Sequence, residues 1–389
     1  MFKYDLLFYE WGEAMPYIKL HQIKQFDFQI NRILTYGDCA CNFEEVKNAA
    51  SNITDLDTWH KTWYALGEQA ESENRILHAA YYYRLAEFFL GDCAQKQEMY
   101  LRSIKNFHKV IGTDRAVDME YVPYQGAGMK TFIFKSHNAK GNLIVFGGYD
   151  SFIEEFYLAV KEWANYGYNV YLFEGPGQGE TLKKGLAFEP EWEKPVGAVM
   201  DYFKLGDIGV IGISWGGYLA LRAAAFDKRI TRAAAYDVLY DGFDCMTNPI
   251  GKRTKSILDF LFKIRAKPVI NLVIRSLMKK ELIINWAVSH GQYITGTDNP
   301  YDFYCHLMRH SLKGIMENIQ CDVLLLAGER DHYVPASHYE ILMQGLTKAK
   351  TLSGRVFTAA EGGAEHCQVG NHRLASDYIM DWLNSFQVQ

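Results

Sequence analysis

Hydrophobic residues recur at helical spacing through the first part of the chain, and the pattern changes to short strand-like runs after Gly112. The helical stretches are Thr58 to Leu66, Leu77 to Leu90 and Met99 to Val110. We therefore predict an all-helical domain over residues 1–115. Gly91 follows the second stretch, and we expect it to end that helix in a left-handed conformation, which glycine adopts without steric cost.

Beyond Gly112 the pattern is that of a sheet. Val117 to Tyr124 and Lys130 to Lys135 alternate like the strands of a hairpin, with a turn over residues 125–128. Short apolar runs then alternate with helical patterns; these runs are Leu143 to Phe146, Val170 to Phe173, Ile208 to Ile213, Ala233 to Tyr236, Val323 to Ala327 and Val356 to Thr358. Buried strands separated by helices predict a mostly parallel sheet with helices on both faces.

One long segment interrupts this alternation. Residues 241–317 fall between the fourth and fifth of those apolar runs, and they are helical in pattern and too long for a simple connection. We predict that they form a helical cap inserted into an α/β core over residues 116–240 and 318–389.

The candidate nucleophile is Ser214, in the pentad from Gly212 to Gly216. A strand runs directly into Ser214, and a helix of small residues follows it. Such a turn exposes a serine above the carboxyl edge of the sheet, and glycines are needed where side chains would collide. The alternative is a glycine-rich turn without chemistry.

A nucleophilic serine needs a base and an orienting carboxylate. Asp331 follows the buried strand that ends near Gly328, and Glu329 is the competing carboxylate. His366 lies in a glycine-rich loop beyond the last strand, and His372 is the alternative base. We predict a Ser214–His366–Asp331 triad.

The predicted oxyanion hole uses the backbone amides of Trp215 and Tyr149, because the first follows the nucleophile and the second lies in the loop after Phe146. The sequence from Ser151 to Glu154 matches a helix capping box. Further candidate pocket residues are Gly148, Asp150, Asp237, Tyr240 and His332.

Composition narrows the class of protein. The net charge is −5 with an ordinary 49% hydrophobic residues, which argues against a nucleic-acid partner. Seven scattered cysteines do not form a disulfide framework, and the first residues lack a signal-peptide pattern, so we expect a cytoplasmic protein. His306 and His310 lack a third ligand, so we expect no metal.

Residues 252–280 hold nine basic side chains and one acidic one, Asp259. A solvated helical face is the ordinary interpretation of such a segment. Attraction of an anionic substrate or of a membrane surface is the alternative.

These motifs resemble an α/β-hydrolase subfamily with an N-terminal helical domain. Its members include 2,6-dihydropseudooxynicotine hydrolase, the fermentation-respiration switch proteins and fungal hydrolases that shorten polyketide pigment precursors. The resemblance is carried by residues 81–83, 86–89, 147–151, 174–180, 212–217, 331–335 and 365–367. It implies a cofactor-free hydrolase that acts as a homodimer, with the helical domain and the cap closing over a small-molecule substrate.

The activity expected from this resemblance is hydrolysis of an acyl amide, an ester or a β-dicarbonyl compound, for instance in the deacylation of a secondary metabolite. Characterised relatives cleave a C–C bond next to a ketone, and the nicotine-pathway enzyme uses an acidic residue after its sixth strand. The segment from Tyr236 to Asp244 has no clear match to that residue. A non-catalytic regulatory or binding protein on the same fold is the alternative of another class.

Overall fold

The computed structural model describes residues 16–387. The first residues, in which we expect no signal-peptide pattern, lie outside the described residues. Within the described part, five helices precede the first strand: α1 (Lys24–Leu34), α2 (Phe43–Asn52), α3 (Leu56–Ser72), α4 (Ile76–Phe88) and α5 (Ala94–Ile111). Their core is aromatic, with the rings of Trp59 and Trp63 5.6 Å apart and both side chains fully buried. The predicted N-terminal helical region is present.

An eight-stranded sheet follows, in the order β1-β2-β4-β3-β5-β6-β7-β8. The strands are β1 (Val117–Tyr124), β2 (Ala127–Phe134), β3 (Gly141–Phe146), β4 (Tyr168–Phe173), β5 (Ile208–Ile213), β6 (Ile230–Tyr236), β7 (Asp322–Gly328) and β8 (Thr351–Phe357). β2 pairs antiparallel with β1 and β4, and the other pairs are parallel. The prediction of a mostly parallel sheet is confirmed.

The hairpin turn is tighter than predicted. It consists of Gln125 and Gly126, with φ of 46° and 83°, and β2 begins at Ala127 rather than at Lys130. Positive φ at both central residues matches the twist of the two flanking strands, which favours a two-residue turn over the predicted four-residue one.

Helices cover both faces of the sheet. Successive side chains of each strand point to opposite faces, so each strand contributes to two separate cores. Leu143 and Val145 of β3 pack into the core shared with the N-terminal helices, whereas Ile144 and Phe146 pack into the core shared with the cap. The helices between and after the strands are α6 (Tyr157–Asn165), α7 (Gly179–Lys183), α8 (Glu193–Phe203), α9 (Gly216–Phe226), α15 (Ser337–Gly345) and α16 (His372–Asn384).

The cap lies between β6 and β7. It contains α10 (Gly242–Thr247), α11 (Lys252–Lys263), α12 (Lys267–Met278), α13 (Leu282–Thr295) and α14 (Pro300–Leu307). The helical content predicted for residues 241–317 is present, while the division of the chain into three domains stays a prediction. Across residues 16–387, no helix combines the length and apolar character needed to span a bilayer.

Two local predictions are wrong. α4 ends at Phe88, before Gly91, and Gly91 has no positive φ. The ring of Phe89 instead packs against Phe26 and Trp59, so this contact fixes the chain before the glycine is reached.

The predicted capping box is also absent, because residues 153–156 form a 3-10 turn without a side-chain cap. Ser151 Oγ accepts a hydrogen bond from Gly148 N, and Glu154 pairs with the buried ammonium of Lys130 at 2.6 Å. A buried cation requires a carboxylate partner, and this requirement takes Glu154 away from the helix terminus.

Candidate active site

Ser214 occupies a strained turn between β5 and α9. Its φ is +62°, and its amide donates to Tyr236 O at 2.6 Å. A Cβ on Gly212 would lie 1.8 Å from Gly216 O, so only glycine fits beside this turn. The local sequence thus presents Ser214 Oγ at the carboxyl edge of the sheet, as expected for a nucleophile turn.

His366 and Asp331 reach Ser214 from the two loops that follow β8 and β7. Ser214 Oγ lies 2.8 Å from His366 Nε2, and His366 Nδ1 lies 2.6 Å from Asp331 Oδ2. Asp331 Oδ1 accepts hydrogen bonds from the amides of Tyr333 at 2.8 Å and Val334 at 3.0 Å, which fix the carboxylate. The three predicted residues therefore form one continuous hydrogen-bonded chain.

The two alternative residues lie outside this hydrogen-bonded chain, although His372 lines the same cavity as Ser214. Glu329 Oε1 accepts from Ala359 N at 2.7 Å, away from His366. His372 begins α16, packs edge-on against Tyr36 with ring centroids 5.5 Å apart, and has a pKa lowered to about 3 by burial. Neither provides the hydrogen bonds that connect Asp331, His366 and Ser214.

Burial and charge act in opposition on the His–Asp pair. Burial by itself would lower the pKa of His366, but the Asp331 carboxylate outweighs it and raises that pKa well above its usual value. Burial would raise the pKa of Asp331, but His366 and the hydrogen bonds lower it to about 2. Asp331 is therefore ionised at neutral pH and stabilises positive charge on the imidazole.

A second carboxyl group, Asp237, lies directly after β6 and is fully buried. Its Oδ2 accepts from Cys367 N at 3.1 Å and lies 3.5 Å from His366 Nδ1. Burial first, and then the nearby Asp331 charge, raise the pKa of Asp237 well above its usual value. Two close carboxylates cannot both be ionised in a dry site, so Asp237 is the neutral member of the pair.

Asp237, His366 and Cys367 also form the one cluster, within residues 16–387, whose geometry is suited to a metal ion, with ligand atoms within 4.8 Å of one another. However, His366 Nδ1 is already hydrogen-bonded to Asp331, and Asp237 Oδ2 to the Cys367 amide. A metal ion would have to displace both hydrogen bonds, so these residues do not fit one.

The two predicted oxyanion residues face each other. The rings of Tyr149 and Trp215 stack with centroids 5.3 Å apart, and Tyr149 OH donates to Ala287 O of the cap at 2.6 Å. The hydrogen bonds among the described residues leave the backbone amides of both without an acceptor. Two free amides beside Ser214 could bind an oxyanion.

Two neighbours hold this pair in place. Trp215 Nε1 donates to His310 Nδ1 at 3.1 Å, so His310 holds the indole ring of Trp215. A Cβ on Gly148 would lie 2.6 Å from Trp215 N, so glycine there permits the loop after β3 to approach the start of α9. Gly148 thus shapes the site through the backbone of Trp215.

A cavity opens above Ser214, enclosing about 1320 Å³ of atom-free space, part of it continuous with solvent. Ser214, His366, Tyr149, Trp215 and Asp150 all line it. The N-terminal region and the cap contribute Phe28, Gln29, Arg32, Tyr36, Met246, Pro249, Ile283, Trp286 and Val288 to its wall, and the loop after β7 contributes Tyr333. The cavity is therefore enclosed by all three parts of the fold.

Four predicted pocket residues do not line this cavity. Gly148 lies against Trp215, and Asp237 lies behind His366. His332 packs between the rings of Phe28 at 4.8 Å and Tyr333 at 3.9 Å, and Tyr240 packs against His338 at 6.0 Å. Their neighbours in the sequence, Tyr236, Leu239 and Tyr333, face the cavity instead.

Sequence reasoning missed the contribution of α1. Arg32 bonds to Asp150 and to Glu155, each at 2.6 Å, and so ties α1 to the loop that holds Tyr149. Burial would raise the pKa of Asp150, but Arg32 and Arg84 lower it to about 2. The signal in the sequence was Arg32 itself, a basic residue among apolar ones, but the sequence does not indicate which carboxylates it pairs with.

Comparison with known proteins supports the fold and the class. No protein-family model matches the chain. It is similar to the hydrolase acrC of Aspergillus aculeatus (24% identity over 92% of this chain and 96% of that protein) and to 20-hydroxy-prefusarin hydrolase FUS2 of Gibberella moniliformis (26%, 92% and 96%). A 32% identity to alpha/beta hydrolase gkaG of Penicillium citrinum covers 55% of this chain and 60% of that protein.

Among solved structures, the fold is similar to 2,6-dihydroxy-pseudo-oxynicotine hydrolase, with a TM-score of 0.68, 19% identity, and coverage of 91% of this chain and 94% of that one. AbyA5 follows with a TM-score of 0.63, 17% identity, and coverage of 88% and 95%. The chain therefore has the fold of an α/β-hydrolase, and the curated proteins to which it is similar over 92% of its length are named hydrolases. The resemblance to the α/β-hydrolase subfamily with an N-terminal helical domain is confirmed.

Proposed function

We propose that the protein is a serine hydrolase in which Ser214 attacks the carbonyl carbon of an apolar small molecule. The observation that carries this proposal is the continuous hydrogen-bonded chain from Ser214 through His366 to Asp331 at the floor of the cavity. Such a chain supplies a nucleophile, a base and an orienting carboxylate in the order the chemistry requires.

In the first half-reaction His366 Nε2 accepts the proton of Ser214 Oγ as the oxygen attacks the carbonyl carbon. The amides of Tyr149 and Trp215 bind the resulting oxyanion. His366 then donates that proton to the leaving group as the bond to the carbonyl carbon breaks. Water then attacks the acyl-serine as His366 accepts one of its protons, which forms a second tetrahedral intermediate. When the bond from the carbonyl carbon to Ser214 Oγ breaks, His366 donates that proton to Oγ, and the carboxylic acid is released.

The cavity wall favours a substrate with rings or an extended apolar part. Phe28, Tyr149 and Trp286 offer aromatic surface, and the cap adds aliphatic side chains. Arg32 also lines the cavity, but its guanidinium is already held by Asp150 and Glu155. Hydrolysis of an acyl amide or ester of such a compound, including the deacylation of a secondary metabolite, is the favoured reaction.

Hydrolysis of a β-dicarbonyl C–C bond is the second candidate, because the same attack can expel an enolate. The feature that bears on it is Asp237, an acid placed after the sixth strand. Asp237 does not line the cavity and contacts His366 instead, so it can influence the leaving group only through that imidazole.

Labelling with a fluorophosphonate tests the nucleophile. We expect the wild type and a Ser289→Ala control in the cap to label, Ser214→Ala to remain unlabelled, and peptide mass spectrometry to locate the label on Ser214. Folded wild type that fails to label, or Ser214→Ala that labels equally, would contradict the proposal. Failure to label would favour a regulatory or binding protein on this fold.

The type of bond that the protein hydrolyses is then identified by incubating a panel of aryl-acyl amides, aryl esters and β-diketones with wild type and with Ser214→Ala. Mass spectrometry detects the products. We expect amides or esters to give a carboxylic acid with the wild type alone. Turnover of diketones alone would replace the favoured reaction by the second candidate.

A further inference from the structure

The outward side of α11 and α12 is unusual in composition. α11 exposes Ile257 and Phe260, and Ile264, the residue that caps this helix, is exposed at position i+7 from Ile257. α12 exposes Val269 and Leu272. Leu272 is 72% exposed and Phe260 60%. We call these five side chains and the basic residues of positions 252–280 the hairpin face.

The fold does not need this apolar surface. Leu258 and Phe262 of α11, and Ile270 and Ile274 of α12, already pack inward into the core of the cap. Both helices therefore carry a second apolar side, about half or more of which is exposed. Large exposed apolar side chains elsewhere in the described chain are scattered, whereas these five fall within sixteen positions.

Positive charge is concentrated in the same segment as these apolar side chains. Nine basic residues against one acidic residue give positions 252–280 a net charge of +8, in a chain whose total is −5. Only Lys255 and Lys267 form ion pairs within the described residues, with Asp244 and Asp259 and with Asp302. The seven remaining cations, Lys252, Arg253, Lys263, Arg265, Arg275, Lys279 and Lys280, have no carboxylate within ion-pair distance among the described residues.

We propose that the hairpin face binds the surface of an anionic lipid membrane. Exposed Ile, Phe and Leu flanked by Lys and Arg are the composition of a helix that lies in a membrane interface, where apolar side chains enter the acyl boundary and cations bind lipid phosphates. A second copy of this chain fits less well, because a two-fold interface would place two +8 faces against each other.

The segment that carries the hairpin face begins close, in the sequence, to a residue that lines the cavity. Pro249 is exposed and lines the cavity, and α11 begins three residues later. If Ser214 acts as proposed above, docking would bring the Pro249 side of the cavity towards the lipid surface, where amphiphilic carbonyl compounds concentrate. The membrane proposal itself does not depend on catalysis and can be tested with Ser214→Ala.

The test is co-sedimentation of the full chain with vesicles of phosphatidylcholine alone or with about 30% phosphatidylglycerol added. We expect at least about tenfold more binding to the anionic vesicles, and loss of that difference when ionic strength rises from about 0.1 M to about 1 M, because the Debye length shortens from about 10 Å to about 3 Å. Equal binding to both vesicles, or none, would overturn the proposal.

Two variants separate the apolar and charged contributions. Ile257→Ser/Phe260→Ser/Leu272→Ser and Lys252→Glu/Arg253→Glu/Lys263→Glu should each reduce binding at least about tenfold. Matched controls on other surfaces, Leu101→Ser/Met119→Ser/Ile341→Ser and Lys105→Glu/Arg115→Glu/Lys348→Glu, should retain it. Circular dichroism verifies folding independently of activity.

Sedimentation velocity without lipid tests whether a second copy of this chain binds the hairpin face instead of a membrane. We expect the apolar variant and the wild type to have the same oligomeric state. A wild-type dimer that becomes monomeric in the apolar variant, with no binding to vesicles, would assign the hairpin face to a second copy and overturn the membrane proposal.

Discussion

Asp237 Oδ2 lies 3.5 Å from His366 Nδ1, the same nitrogen that Asp331 Oδ2 contacts at 2.6 Å. The imidazole therefore faces two carboxyl groups on the side away from Ser214. Their pKa values are shifted in opposite directions, down for Asp331 and up for Asp237, so one is a carboxylate and the other an uncharged acid at neutral pH. We therefore expect substitution of Asp331 and substitution of Asp237 to have different effects on activity.

Asp331→Asn should reduce kcat by about 10⁴, because the asparagine can no longer hold the reactive tautomer of His366 or stabilise its positive charge. Asp237→Asn should retain activity within about tenfold, since an amide replaces an uncharged acid of the same shape. Steady-state kinetics on any substrate from the panel measures both. A loss in Asp237→Asn as large as that in Asp331→Asn would show that Asp237 acts as a carboxylate.

The pH dependence of kcat/KM should have its acid limb above pH 6.5. His366 must be uncharged to accept the Ser214 proton, and Asp331 raises its pKa, so activity is present above the raised pKa and is lost as pH falls through it. In the residual activity of Asp331→Asn the limb should move to lower pH. A wild-type limb below pH 6.5, or one that does not move, would contradict the charge coupling.

Arg32→Met should lower the free energy of unfolding by about 3 kcal/mol, because it leaves the buried Asp150 and Glu155 carboxylates with Arg84 in place of two guanidinium groups. Urea unfolding measures this. Lys61→Met, which removes the exposed pair with Asp57, is the control and should have no measurable effect. The double variant Arg32→Met/Asp150→Asn should recover part of the loss, and failure to recover would show that the two charges are not coupled.

Gly148→Ala should reduce the rate of fluorophosphonate labelling at least about a hundredfold, comparable to the loss of one oxyanion donor. The added Cβ would lie 2.6 Å from Trp215 N and would displace that amide or the Tyr149 loop. Gly91→Ala is the matched control, since a Cβ there meets nothing within 4 Å. Unchanged labelling of Gly148→Ala would show that these amides do not bind the oxyanion.

The sequence by itself determined the eight strands, three of the five helices before them, and the three residues that meet at the candidate site. Apolar runs of strand length, separated by helical periodicity, indicate a parallel sheet because each buried strand needs cover on both faces. Ser214, Asp331 and His366 were predictable because each follows a strand, and the carboxyl ends of parallel strands share one edge. Gly212 and Gly216 were informative for the same local reason, a turn that excludes side chains.

The tertiary structure decided which other side chains face the cavity. Asp237, Tyr240 and His332 follow strands as Asp331 does, yet they point away from the cavity, because orientation within a loop depends on packing from distant elements. Arg32 reaches Asp150 across 118 positions, and Glu154 leaves its predicted cap to pair with Lys130. These contacts satisfy buried charges, and a buried charge takes its partner from whatever the fold brings near it, which local sequence does not specify.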